Sequence, residues 1–287
     1  MLGAMRWTLL ALAALGAAAR SPAAAAAAPA PVTLVAVAPG YPGSTAEAQP
    51  SMDAFAAALA QASGLPRGAV RAVYDETEER GLERLAEPGA ALALVPLPLL
   101  VKHGQALKLT PRLQVEQKAA GLAEVWSLVA RKGRVASPAA LAGFTVLSVA
   151  GYAPGFVRGA LAAWGELPAG AKVAQTSQVL SALRRASAGE DVAVLLDGAQ
   201  TAALASLSFA AELEVVARSA PLPAAFVCTV GKKLPVARWK ALERGFAAVG
   251  QEPAGAAALE AIRVVRFLPA SPEALAVVRR LAAGAGR

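Results

Sequence analysis

One cysteine and one histidine are all that the 287 residues contain of the two side chains that most often crosslink chains or bind metals. With Cys228 alone, no intrachain disulfide can form, so the fold must hold itself together by its core. Cys228 sits in the apolar run Phe226-Val227-Cys228-Thr229-Val230, the setting of a buried, inert thiol. His103 and Cys228 together are too few for the usual zinc and haem ligand sets, so no metal or other cofactor is expected. The chain also lacks a G-x-S-x-G elbow, a Walker loop and a G-x-G-x-x-G turn. No pair of carboxylates has a context that marks an acid/base couple, which argues against an enzyme. Basic residues are scattered, with no run of five and no interleaved aromatics, so no nucleic-acid partner is expected. After residue 31, no charge-free apolar run reaches the roughly 18 residues needed to cross a bilayer.

What is present is apolar and alanine-rich. Hydrophobic residues make up 56% and charged residues 17%, the balance of a chain with an ample core rather than a disordered one. Arg6 and Arg20 precede residue 31, leaving 26 basic residues against 20 acidic ones, a weak long-range attraction for anions. Residues 1–30 read as a secretory signal peptide and linker. Arg6 supplies the positive start, Trp7 to Ala19 the apolar stretch, and small residues between Ala17 and Ala30 the cleavage site.

From residue 32, strand and helix signals alternate. Val32–Ala38 is a nearly continuous apolar run, as in a strand buried on both faces, ended by Pro39-Gly40-Tyr41-Pro42-Gly43-Ser44. Helical segments are expected over Gln49–Ser63 and Glu76–Ala86, and strands over Val70–Asp75 and Ala91–Val95. Gln105 to Gly121 reads as irregular. The rhythm restarts with strands at Val125–Ala130, Thr145–Val149 and Val192–Leu196 and a helix over Gln178–Ala188, for which Thr176 and Ser177 are candidate caps. Strands at Leu213–Ala217 and Ala225–Val230 precede three helices after Pro235. This pattern predicts an α/β protein of about eight strands in two mostly parallel, helix-flanked sheets.

The wording of several segments resembles the phosphate/phosphite/phosphonate substrate-binding family of ABC importers. The carriers are Trp126-Ser127-Leu128-Val129-Ala130-Arg131-Lys132-Gly133, then Ser137 to Leu141 with Ala142-Gly143-Phe144-Thr145-Val146, and Pro221-Leu222-Pro223 with Lys233-Leu234-Pro235. The resemblance implies a two-lobed, type II periplasmic-binding-protein-like fold with two hinge crossings. Lobe one would be residues 31–124 plus 223–287, and lobe two residues 125–222. It also implies a periplasmic monomer that captures a small, anionic ligand, phosphonate- or phosphate-like or related, for an inner-membrane ABC permease.

Ligands of such folds sit at the carboxyl ends of the strands. The loops expected there supply Tyr41, Ser44, Trp126, Tyr152, Ala153, Gly155, Thr176, Ser177 and Asp197. Where the family carries a hydroxyl-rich S-T-S that cradles an oxyanion, this chain reads Ala153-Pro154-Gly155, and proline removes one N–H donor. Tyr41, Ser44, Tyr152 and Arg158 are the donors that could compensate. Tyr41 and Tyr152 could equally pack as rim aromatics, Arg158 could be a solvated helix charge, and Trp126 could be hinge packing. Asp197 could bind a ligand amine, orient a hinge or cap a helix. A second functional class therefore stays open, a two-lobed sensor or scaffold with a degenerate cleft acting through a membrane partner.

Overall fold

The computed structural model describes residues 30–41 and 43–284; the expected leader, Ala30 apart, lies outside them. The first half runs β1 (Val32–Val37), α1 (Thr45–Ala62), β2 (Val70–Asp75), α2 (Glu78–Ala86), β3 (Ala90–Pro96), α3 (Leu97–His103), β4 (Leu109–Gln117) and the two-residue β5 (Ala123–Glu124). Then follow β6 (Ser127–Arg131), β7 (Thr145–Ser148), α4 (Pro154–Leu161), β8 (Lys172–Gln175), α5 (Val179–Ser187), β9 (Val192–Leu196), α6 (Gly198–Ala203) and β10 (Leu213–Arg218). The chain closes with β11 (Leu222–Pro223), β12 (Ala225–Val230), α7 (Val236–Ala248), α8 (Pro253–Ala261), β13 (Val264–Pro269) and α9 (Pro272–Gly284).

Two sheets result, one of six strands in the order β13-β4-β12-β3-β1-β2 and one of five in the order β10-β6-β9-β7-β8. The chain passes between them twice, and at the passage β5 pairs with β11 as a small antiparallel ribbon. Trp126 and Ser219 stitch the two passages together: the Trp126 N–H donates to Ser219 Oγ (2.9 Å), and the Ser219 N–H donates to Trp126 O (2.8 Å).

The sheets are mixed rather than mostly parallel. Parallel pairing is confined to β1 with β2 and β3, and to β7 with β8 and β9. The strands that follow each passage, β6 and β12, enter antiparallel and recruit β10, β4 and β13 antiparallel too. The stretch read as irregular holds β4. Pro111 sits inside it at a register shift opposite Val227 and Cys228, and proline is tolerated in a sheet at such bulges. Strands β8 and β13 also escape the sequence pattern, since both are edge strands with at most two buried residues each.

Local chemistry sets the helix starts. Ser44 caps α1 in a full capping box with Glu47, and Thr77 caps α2 ahead of Glu78 and Glu79, whose charges suit the positive helix end. One apolar cluster runs through both halves. It includes Val95, Leu99 and Phe226 around the six-stranded sheet, Trp126, Leu128 and Phe156 around the other, and Leu281 of α9. Helix α9 thus binds the halves: a Cβ on Gly159 of α4 would lie 2.8 Å from Leu281 Cδ2. Cys228 is fully buried, and burial pushes its thiol far up, as the sequence suggests for an inert group.

Candidate functional site

The carboxyl ends of β1, β3, β7, β8 and β9 converge between the halves. Beyond β1 the chain turns through Gly40, whose positive φ (+85°) suits glycine. A Cβ there would stand 2.9 Å from Val149 O and 3.3 Å from Gln175 Nε2, so this backbone lies directly on the ends of β7 and β8. The next residue, Tyr41, donates its hydroxyl to Asp197 Oδ2 at the end of β9 (3.0 Å). Burial, then the Asp197 and Glu124 carboxylates, hold the Tyr41 hydroxyl well above its ordinary pKa, so it remains a donor.

Asp197 does two jobs. Its Oδ1 accepts the Gln200 N–H (2.8 Å) as the cap of α6, and its Oδ2 accepts Tyr41. Burial raises its pKa, opposed by bonds from Gln200 and Tyr41. Next to it stands Glu124, whose Oε2 accepts the Gly198 N–H (3.1 Å). Burial pushes the Glu124 carboxyl up to about 7, the Gly198 bond opposes this, and Asp197 adds to it.

Tyr41, Pro96, Pro98, Trp126, Val149, Ala150 and Tyr152 line the remaining gap. It has no room for a water molecule. Tyr152 is buried, with Lys102 Nζ 5.7 Å from its ring centroid. Burial and then the Glu78 carboxylate raise its hydroxyl pKa strongly. Glu78 pairs with both Lys102 and His103 at the end of α3.

The structure thus gathers Tyr41, Trp126, Tyr152 and Asp197 of the residues read from the sequence, with Ala153 buried behind them. Ser44, Thr176 and Ser177 are not among the residues that line the gap. The Ser44 Oγ is engaged with Glu47 as a helix cap. Thr176 Oγ1 accepts the Gln178 N–H and Ser177 is exposed, yet neither caps α5, whose N-cap is Gln178 without a side-chain bond. Gly155 lies one residue inside α4, beyond an N-cap, Ala153, that has no side-chain bond to offer. Arg158 is engaged rather than solvated; its guanidinium donates to the Leu167 and Ala171 carbonyls (3.1 and 3.2 Å) and braces the loop after α4. Glu124 enters the sequence pattern only as the last residue of lobe one, at the crossing. Its signal was a lone carboxylate beside Trp126 between two apolar stretches.

Ser148 fixes the β7 end of this site. It is fully buried, its Oγ donates to Leu195 O (2.8 Å) and accepts the Ala150 N–H (3.2 Å). Ser148→Ala is expected to lower stability by about 1–2 kcal/mol in urea unfolding, because two backbone groups lose a partner. A loss below about 0.3 kcal/mol would show that the backbone groups re-pair without it.

No family model matches this sequence, and no curated protein matches it. Solved structures do. A Xanthomonas citri protein, XAC2383, determined bound to chloride, matches with a TM-score of 0.69 at 16% identity, over 89% of this chain and 98% of that one. The same protein bound to ATP gives 0.67 at 15% identity, over 89% and 97%. A binding protein component of an ABC phosphonate transporter from Pseudomonas aeruginosa gives 0.61 at 14% identity, over 88% and 85%. PhnD1 of Prochlorococcus marinus in complex with methylphosphonate gives 0.54 at 12% identity, over 87% and 96%. The shared property is the fold, that of the two-lobed type II periplasmic binding proteins.

Proposed function

We propose that this chain is a monomeric, non-enzymatic solute-binding protein of the periplasm that captures a small molecule between its lobes and delivers it to an ABC permease. The observation that carries the reading is the convergence of the β1, β3 and β7 ends, from both sheets, on one gap walled by Tyr41, Trp126 and Tyr152, with the β8 and β9 ends touching the Gly40–Tyr41 turn beside it. Residues 31–124 with 223–287, and residues 125–222, are the two lobes of this reading.

The site argues against a simple phosphate or alkylphosphonate. An oxyanion needs hydroxyl, amide or cationic donors, worth roughly 1.5–3 kcal/mol each. Here Ala153-Pro154-Gly155 offers no side-chain donor, Arg158 is turned to carbonyls, and Glu124 and Asp197 add carboxylates. A larger, partly apolar solute that the tyrosines can contact fits better. Isothermal titration with methylphosphonate and phosphate is expected to show no sub-micromolar binding; such binding would mean that the α4 loop has been misread. A thermal-shift screen of small solutes tests capture itself, since a true ligand at a hundredfold excess over its Kd adds about 2.7 kcal/mol. The gap's lack of room for water favours a second reading, a sensor or scaffold with a self-filled cleft, and a screen without hits would support it.

A further inference from the structure

We infer that Tyr41 is an internal occupant of the cleft, a latch on Asp197 that holds the two lobes shut when nothing is bound. The contact is broad, because the Gly40–Tyr41 turn of one lobe touches three strand ends of the other. Gly40 lies on Val149 after β7 and on Gln175 of β8, and Tyr41 reaches Asp197 after β9. A ligand at the carboxyl ends of these strands would occupy that same ground.

The latch has a definite chemistry. Asp197 Oδ2 is a buried carboxylate oxygen whose one side-chain donor among the described residues is Tyr41, while Oδ1 serves the Gln200 backbone N–H. Opening the lobes breaks the Tyr41 bond and lets water reach Asp197. A ligand that displaces Tyr41 inside the closed cleft must bring an O–H or N–H donor of its own, or leave that oxygen unpaired. The closed, ligand-free population also weakens apparent affinity by the fraction of molecules that are open. Tyr41 therefore sets a threshold for entry, in addition to walling the gap.

The inference rests on reading the gap as the place a ligand would enter, but its test needs no ligand, so failure to find one leaves the test intact. Small-angle scattering of the ligand-free wild type is expected to match the closed form, and Tyr41→Phe to shift it toward a larger radius of gyration. Native-state hydrogen exchange keeps the test decisive if the shift is small. In Tyr41→Phe, the amides of Ala150, which bonds Ser148, and Gly198, which bonds Glu124, are expected to exchange about tenfold faster or more, while those of β12 keep their wild-type rates. A wild type that is already open in solution overturns the latch. So does a Tyr41→Phe variant whose cleft amides exchange as in wild type, and so does acceleration that is equal in β12, which would mean general destabilisation.

Discussion

Trp126→Ala is expected to lower the unfolding free energy by about 3–5 kcal/mol, the range for deleting a large aromatic side chain from a well-packed interior. The indole is 2% exposed and meets Phe156 edge-on, with ring centroids 5.1 Å apart. It sits where the apolar cluster passes from one sheet to the other, so the void would open at the junction, where neither lobe can collapse to fill it alone. Its backbone bonds to Ser219 do not depend on the side chain and should persist. Urea unfolding measures the loss, and Trp126→Phe should recover a large part of it by restoring the edge contact. A Trp126→Ala protein within about 1 kcal/mol of wild type would show the ring to be a removable cleft wall rather than the joint of the two halves.

Much of this architecture was legible because strands buried on both faces announce themselves. β1, β9 and β12 are apolar almost throughout, and proline and glycine punctuate their ends. Strand β4 was hidden by its own bulge, since Pro111 and the charges at Lys108 and Arg112 read as a loop, and pairing with β12 and β13 makes the segment extended. The site was legible in part. Tyr41, Trp126, Tyr152 and Asp197 stand next to strand ends, and strand ends can be found from hydrophobic runs. What each polar atom does there could not be read. Whether Ser44 or Thr176 faces a cleft or caps its own chain depends on backbone angles at one residue, which hydrophobic periodicity does not record. Pairings such as Tyr41 with Asp197 join residues 156 apart in sequence, and no local pattern specifies them.

Stability should fall as pH rises through neutrality, and Glu124 should be a principal cause. The reasoning starts from its position on β5, half-buried beside Asp197, where burial, opposed by the Gly198 bond and reinforced by Asp197, lifts its carboxyl to about 7. In the unfolded chain the same carboxyl titrates near its ordinary 4.5. The folded state therefore binds this proton more tightly, and its contribution is complete below about pH 4.5 and lost as pH rises through about 7. The expected loss between pH 5 and pH 8 is about 2–3 kcal/mol. Glu124→Gln keeps the acceptor for the Gly198 N–H and removes the charge that faces Asp197. The variant should match wild type near pH 5 and exceed it by about 2 kcal/mol at pH 8, leaving the slope that belongs to Asp197, whose pKa is raised in the same direction. Comparing the two proteins by urea unfolding at several pH values cancels the exposed carboxylates Glu47 and Glu76, whose lowered pKa values act below this window. A difference that stays constant from pH 5 to pH 8 would show that Glu124 is ionised throughout. The lobe junction would then carry a buried charge that some group other than Gly198 must balance.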